Sequence, residues 1–168
     1  NTVAYIIWCN EDGKVIDDGT IFKFSSTKFM LCCAVKIYNW LNDSAHGFDV
    51  SISDVTDTIA ALAIQGPTSC STLKKFGATD LEKLKPFEMR EYKIDGFDIL
   101  ISRTGFTGDL GYEMWTDPKN AETTWDNIEI AGKELKLRPF GMHALEMTRI
   151  EAGFIQTNTD FMAAEDSL

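Results

Sequence analysis

The chain has 168 residues, of which 44% are hydrophobic and 11% aromatic, so it can bury the core of one ordinary domain or of parts of two. Its formal net charge of −10 argues against nucleic acid or an anionic membrane as a main partner, because both attract a basic surface. Its apolar runs are shorter than the roughly 18 residues that cross a membrane, so a membrane partner is not expected either.

The first third of the chain predicts a small sheet and a helix. Alternating apolar and polar residues predict strands over residues 3–8, 15–24, 29–33 and 48–53. Between the last two, apolar residues recur at helical spacing from Ala34 to Leu41 and predict a helix that ends near Asp43. Residues 54–57 are the expected boundary between two units.

The remaining residues predict a second unit built from hairpins and helices. An apolar strand over 59–64 stops at Gln65-Gly66-Pro67, and a helix is expected from there to residue 76, followed by a short helix over 80–84. Asp95-Gly96 is a strong hairpin signal between the strands 90–94 and 97–103. These elements predict an α+β fold with mainly antiparallel sheets and packed helices.

Two further helices are predicted near the end of the chain. The first opens at Pro118, and its apolar stripe consists of Ala121, Trp125, Ile128, Ala131 and Leu135. The second spans about 142–151, and its apolar face consists of His143, Met147, Ile150 and Phe154.

Cysteines and histidines give no sign of a metal site or of a hydrolytic triad. His143 is expected to pack in the core and His46 to lie exposed in a loop, and neither has metal-ligand spacing to a cysteine or a nucleophile placed beside it. We expect buried free thiols in a reducing compartment at Cys9, Cys32, Cys33 and Cys70.

The segment from Ser102 to Glu113 reads Ser-Arg-Thr-Gly-Phe-Thr-Gly-Asp-Leu-Gly-Tyr-Glu, with a glycine at every third position between two predicted strands. Such a turn lets the backbone approach itself or a flat ligand closely, because no Cβ obstructs it. It ends by presenting the carboxylate of Glu113 next to Tyr112, which suits a planar, nitrogen-rich ligand. The alternative is an ordinary glycine-rich hairpin.

This segment resembles the signature of the glycine-cleavage T-protein (aminomethyltransferase) family of folate-binding proteins. Three more stretches are similar to that family in the expected order: residues 9–18, which end in Asp-Asp, residues 64–67, and residues 141–153, which end in Arg-Ile-Glu-Ala-Gly. The resemblance implies three domains around a folate cavity. The chain looks like a central fragment, with a partial first folate-binding subdomain over 1–56, a second over 57–168, and no C-terminal β-domain.

The resemblance implies an enzyme that transfers a one-carbon unit to tetrahydrofolate in glycine cleavage. The partners it implies are folate, a small one-carbon donor and a lipoyl carrier protein, in the cytoplasm or, in a eukaryote, in the mitochondrial matrix. One alternative is that the fragment by itself binds nothing and is inactive because its cavity is incomplete. Two alternatives for the whole protein also remain open. One is a tetrahydrofolate-dependent demethylase of a small methylated amine or sulfonium, and the other is a non-catalytic folate-binding accessory protein, whose Lys-Gly-Cys-Tyr-x-Gly-Gln type of motif this chain lacks.

The predicted site residues follow from the same resemblance. Asp18, the second carboxylate of the Asp17-Asp18 pair, is expected to face the reacting folate amine as the catalytic residue, since neighbouring strand residues point to opposite faces and Asp17 would then meet solvent. An acceptor-only carboxylate at Glu113 would bind the amino-pyrimidine edge of the pterin. The predicted folate-binding residues are Glu113, Tyr5, Arg103, Tyr112 and Phe106.

The sequence departs from the family pattern at two positions. Leu145 stands where the aminomethyltransferases have a folate-contacting arginine, and Phe106 stands where they have an aromatic hydroxyl. Relatives with leucine at the first position include folate-binding domains fused to sarcosine and dimethylglycine dehydrogenases. The loss of that cation leaves the identity of the one-carbon donor open. For Arg103, a structural ion pair is the competing interpretation.

Overall fold

The computed structural model describes residues 1–164, which form an α+β fold with two antiparallel sheets. The first sheet has the order β1-β2-β3 and the second the order β4-β7-β6-β5. The strands are β1 (Thr2–Cys9), β2 (Val15–Lys23), β3 (Phe29–Cys33), β4 (Ala60–Gln65), β5 (Met89–Ile94), β6 (Phe97–Ser102) and β7 (Gly111–Thr116). The α-helices are α1 (Tyr38–Ser44), α2 (Ser69–Phe76), α3 (Ala121–Gly132) and α4 (Met142–Glu151).

The second sheet carries the main core. Its strands pack against α2 and α3, and the buried apolar side chains include Leu73 of α2, Ile128 of α3 and Met114 of β7. The hairpin between β5 and β6 turns at Asp95 and Gly96, which both have positive φ, as a two-residue turn of this kind requires.

The two sheets pack face to face at one end. The ring of Phe22 on β2 meets the edge of Trp115 on β7, with 5.0 Å between ring centroids and an angle of 76°. Val3 and Met89 complete this buried cluster, and the backbone N–H of Val3 donates to the Phe87 carbonyl. The first sheet is thus attached to the second through both side chains and backbone.

Some predicted elements differ from the structure. Residues 48–53 form no strand, and α1 begins at Tyr38 rather than at residue 34, because residues 34–37 cross over the first sheet, where the N–H of Val35 donates to Asp17. Residues 80–84 contain a single 3₁₀ turn at Leu81–Lys83. The division at residues 56 and 57 stays a prediction, although it falls between the two sheets.

The predicted buried face of α4 is wrong. His143 is exposed, as are Met147 and Ile150 at 65% and 59% exposure, while Arg149 is the buried residue of the helix. The cysteines are free, but Cys9 is exposed and the other three are only half-buried, which corrects the expectation of buried thiols. His46 lies exposed in a turn, as expected.

Within the described residues, no helix is both long enough and apolar enough to cross a membrane.

Candidate functional site

Asp18 lies on the central strand of the first sheet, and both of its carboxylate oxygens accept a hydroxyl. The phenol of Tyr5 donates to Oδ2 at 2.7 Å, and the hydroxyl of Thr157 donates to Oδ1 at 3.1 Å. Burial, followed by the hydrogen bond to Asp18, raises the pKa of Tyr5 to about 12, so this phenol remains a donor at neutral pH. Tyr5 and Asp18, both predicted from the sequence, are therefore in direct contact.

Asp17 points to the opposite face, as the alternation of a strand requires, but it does not meet solvent. Its side chain is fully buried, and Oδ2 accepts the N–H of Val35 at 2.9 Å. The expectation of a solvated carboxylate is wrong here because residues 34–37 cover this face. Asp17 holds the connection between β3 and α1 in place.

Gly19 follows the pair because β3 runs unusually close to β2 at this point. A Cβ at Gly19 would lie 2.2 Å from the carbonyl oxygen of Cys32 on β3, where any side chain would push the strands apart. The small residue therefore allows regular pairing immediately beside Asp18.

Glu113 lies on β7, on the face opposite to the core residue Tyr112. The hydroxyl of Thr104 donates to its Oε2 at 2.5 Å, and Thr104 is in turn 2.7 Å from the hydroxyl of Ser102. Burial raises the pKa of Glu113 above its ordinary range, and the bond from Thr104 opposes that shift. The carboxylate is thus largely removed from water, with one neutral donor on it.

Strand register places both carboxylates on the inner faces of the two sheets. Asp18 is four residues before Phe22 and Glu113 is two before Trp115, so each shares the face of the aromatic ring that closes the space between the sheets. Cys32 lies on the same inner face of β3, and its pKa is raised by burial and then by the charge of Glu113. Asp18 and Glu113 therefore both lie on the sheet faces that meet at Phe22 and Trp115.

The glycine turn is shaped by a side chain of the protein itself. Oε1 of Gln65 lies 2.0 Å from where a Cβ of Gly105 would be and 1.8 Å from that of Gly111, so a side chain at either position would displace the Gln65 amide. Gln65 donates to the Tyr112 carbonyl at 3.2 Å and accepts the hydroxyl of Thr107 at 3.2 Å. The glycines thus let the backbone of the turn approach the Gln65 side chain closely.

Phe106 and Gly108 connect this turn to the end of α4. The Phe106 ring stacks on Phe154 with 5.6 Å between centroids and an angle of 10°. A Cβ at Gly108 would lie 2.5 Å from Cβ of Ala152. The contact joins the β6–β7 turn to α4, close to the segment that carries Thr157.

Two predicted binding residues have structural surroundings instead. Tyr112 is 1% exposed and packs in the core, where burial and the neighbouring Cys70 thiol raise its pKa to about 12. Arg103 donates from Nη1 to the Leu84 carbonyl at 2.8 Å and so ties β6 to the preceding loop. Both side chains thus have contacts that stabilise the fold.

A hollow of about 220 Å³ opens beside Asp18. It is lined mainly by apolar side chains of β1, β2 and the segment after α4, including Ile7, Ile155 and Phe161, together with Asp18 and Asp160. The described residues include no group of three or more His, Cys, Asp and Glu side chains that could hold a metal ion.

Three side chains that shape the site were not predicted as such. Gln65 lies in a matched motif, yet its fit into the glycine turn depends on distances that a sequence does not give. Arg149 also lies in a matched motif, where a cation amid apolar helix residues could have indicated a buried ion pair. Nothing in the sequence points to Thr157, which lies 139 residues from its partner Asp18.

Comparisons with known proteins identify the family of this chain. The family model of the GCVT N-terminal domain matches residues 1–168. An aminomethyltransferase of Clostridium botulinum is 41% identical over 160 residues, which are 92% of this chain and 43% of that protein. One of Thermoanaerobacter pseudethanolicus is 38% identical over 158 residues, again 43% of its length.

A solved structure shows the same fold. The glycine cleavage system aminomethyltransferase T from Bartonella henselae superposes with a TM-score of 0.81 at 22% identity, over 97% of this chain and 44% of that one. The chain thus spans less than half the length of the relatives it matches. Because the family model covers every residue, the chain belongs to the GCVT N-terminal domain family of glycine cleavage T-proteins.

Proposed function

We propose that this chain carries the folate site of a tetrahydrofolate-dependent aminomethyltransferase that acts in glycine cleavage. The supporting observation is that two carboxylates from different sheets, Asp18 and Glu113, lie on the sheet faces that meet at Phe22 and Trp115. The chain is also similar to aminomethyltransferases over 91–92% of its length. The activity of the whole protein, its donor and its lipoyl carrier partner belong to the proposal.

The chemistry of Glu113 suits the amino-pyrimidine edge of a pterin. A carboxylate has about four acceptor positions, and the hydroxyl of Thr104 uses one on Oε2. The remaining positions can accept a pair of N–H groups. Because this carboxylate is largely removed from water, such bonds are stronger than they would be on the surface.

The surroundings of Asp18 suit a group that orients an amine. Its two oxygens accept hydroxyls from Tyr5 and Thr157, so the carboxylate is held in a fixed plane. It can then accept a hydrogen bond from a folate amine and stabilise positive charge that develops near it. When bound, tetrahydrofolate supplies the nitrogens that receive the one-carbon unit, and the protein supplies proximity and orientation.

Calorimetric titration of 5-formyl-tetrahydrofolate into the chain tests this assignment. We expect Asp18→Asn and Glu113→Gln each to weaken binding at least tenfold, since each removes a charge-assisted hydrogen bond. Asp98→Asn is the matched control, because the Asp98 side chain is 90% exposed on the second sheet, and it should bind as the parent does. Unchanged binding in both site variants, or no binding by the parent, would contradict the proposal.

The hollow beside Asp18 favours a second candidate reaction in the same site. Its apolar lining and the Asp18 carboxylate suit a small methylated amine or sulfonium, and the half-buried Leu145 stands where the family arginine is expected. The donor would then be demethylated with tetrahydrofolate as the acceptor. Assays of a longer polypeptide with candidate donors, with and without a lipoylated carrier protein, separate the two reactions: turnover that needs the carrier supports aminomethyl transfer.

A further inference from the structure

We propose that Thr157 is a positioning residue for Asp18, and that the buried Arg149 holds Thr157 in place. This inference rests on the proposed function, because it names a residue through which the folate-orienting carboxylate is aligned. The resemblance to the family assigned no role to either side chain.

The first step is the contact between Thr157 and Asp18. Thr157 is 5% exposed, and its hydroxyl donates to Oδ1 of Asp18 at 3.1 Å, while Tyr5 donates to Oδ2. A carboxylate that accepts one hydroxyl on each oxygen cannot rotate freely about its Cβ–Cγ bond. With Tyr5 alone, Oδ1 would lose its fixed direction.

The second step concerns the segment after α4, which carries Thr157 to the first sheet. Its backbone returns to β2, where the N–H of Ala164 donates to the Val15 carbonyl at 2.7 Å. Ile155 and Phe161 of the same segment form walls of the hollow beside Asp18. The segment therefore shapes both the hydrogen bonding of Asp18 and the space in front of it.

The third step is the guanidinium of Arg149, which is 1% exposed. Nη1 donates to the Phe154 carbonyl at 3.0 Å and pairs with the carboxylate of Asp160, so it binds the segment on both sides of Thr157. Nη2 pairs with Glu146 at 2.6 Å, one turn back on α4. Oδ2 of Asp160 also accepts the N–H of Gln156 at 2.7 Å, which tightens the loop around Thr157.

These contacts connect α4 to Asp18 through one fixed loop. Arg149 sets the positions of residues 154 and 160, the loop between them presents Thr157, and the Thr157 hydroxyl sets the plane of the Asp18 carboxylate. A planar bidentate cation suits this task, because its donors have a rigid geometry.

The test compares Thr157→Val, which keeps the shape of the side chain but loses the hydroxyl, with Thr157→Ser, which keeps the hydroxyl. Three measurements are made on each: the thermal unfolding midpoint, the affinity for 5-formyl-tetrahydrofolate, and the carboxyl ¹³C signal of Asp18 in the free protein. That signal is assigned by its loss in Asp18→Asn.

We expect Thr157→Val to weaken binding about three- to tenfold, because the Asp18 carboxylate then meets the folate amine in a less fixed orientation, and to shift the Asp18 signal. Thr157→Ser should restore both within about twofold of the parent affinity. Asp160→Asn, which keeps Thr157 but weakens its loop, should shift the Asp18 signal in the same direction and serves as the second variant if Thr157→Val does not fold.

The inference is overturned if Thr157→Val leaves the Asp18 signal and the affinity unchanged, or if Thr157→Ser loses as much as Thr157→Val. If the parent chain does not bind the folate at all, the proposed function fails. The ¹³C signal of the ligand-free variants then still decides whether Thr157 positions Asp18.

Discussion

The two sheets differ in how they are stabilised. Among the described residues, the second sheet with α2 and α3 contains a cluster of twelve buried apolar side chains, from Ile64 to Ile128. The cluster at the first sheet contains three, and one of these, Met89, belongs to the second sheet. The second sheet is therefore stabilised by a core of its own, whereas the first sheet is stabilised mainly by its contact with the second.

The two carboxylates reflect this difference. Glu113 is held within the well-packed unit by a side chain of that unit, Thr104. Asp18 lies on the thinner sheet and is held by Tyr5, which is half exposed, and by Thr157, which comes from a distant segment. Glu113 is therefore held by a residue of its own unit, whereas Asp18 also depends on a residue from a distant segment of the chain.

Removal of a buried side chain should have the largest effect on the free energy of unfolding, and this effect should differ between the two sheets. Ile101 is fully buried in the second core, so Ile101→Ala should lower the free energy of unfolding by about 2–5 kcal/mol through lost burial and a cavity. Ile7 of the first sheet is 50% exposed, and Ile7→Ala should cost less than about 1 kcal/mol. Urea unfolding measures both, and equal losses would refute the proposed difference in packing.

A side chain added in the glycine turn should have an intermediate effect on the free energy of unfolding. Gly111→Ala puts a Cβ onto Oε1 of Gln65 and should cost about 1–3 kcal/mol of the free energy of unfolding. Gln65→Ala makes room, so the same change in that background should cost clearly less. Gly141→Ala is the control, because no atom lies within 4 Å of its Cβ position, and it should change stability by about 0.5 kcal/mol or less. A cost that is equal in both backgrounds would mean that Gln65 is not the obstacle.

The smallest and most specific effect should be the pH dependence of stability that Glu113 causes. Its pKa is raised in the folded state by burial, so the folded state binds the proton more tightly and loses stability as pH rises from the ordinary glutamate value through the folded one. Glu113→Gln removes this penalty and should unfold at a higher urea concentration than the parent at pH 7. The difference should vanish near pH 4, where the parent carboxyl is protonated in both states.

The exposed Asp98 provides the comparison for that measurement. Asp98→Asn should not gain stability between pH 4 and pH 7. If Glu113→Gln is less stable than the parent at pH 7, the carboxylate is stabilising in the fold, and the argument from burial is wrong. A stabilised variant that no longer binds folate would show that the protein keeps this charge for binding and at a cost in stability.

Local patterns were sufficient to predict most of the strands. Alternation located β1, β2 and β3, and Asp95-Gly96 predicted the β5–β6 hairpin, because strand pairing and turn conformation depend on near neighbours. The family resemblance selected Asp18, Tyr5 and Glu113, which lie on the inner faces of the sheets.

The failures share a cause, which is that burial depends on partners distant in sequence. The apolar spacing of α4 predicted a buried face, yet Met147 and Ile150 are exposed and Arg149 is buried, because Asp160 and the Phe154 carbonyl return to meet it. Tyr112 was assigned to the ligand because it neighbours Glu113, but strand alternation turns it into the core.

The contact between Thr157 and Asp18 has a consequence for biosynthesis. The two residues are 139 positions apart, so strand β2 leaves the ribosome long before its partner is made. The first sheet and the β5–β6 hairpin can pair early, since those contacts are local in sequence, whereas β4 must wait for β7, which follows β5 and β6. The acidic group on β2 acquires its second hydroxyl only when translation has passed residue 157, so the strands of a nascent chain can pair before this carboxylate is fully restrained.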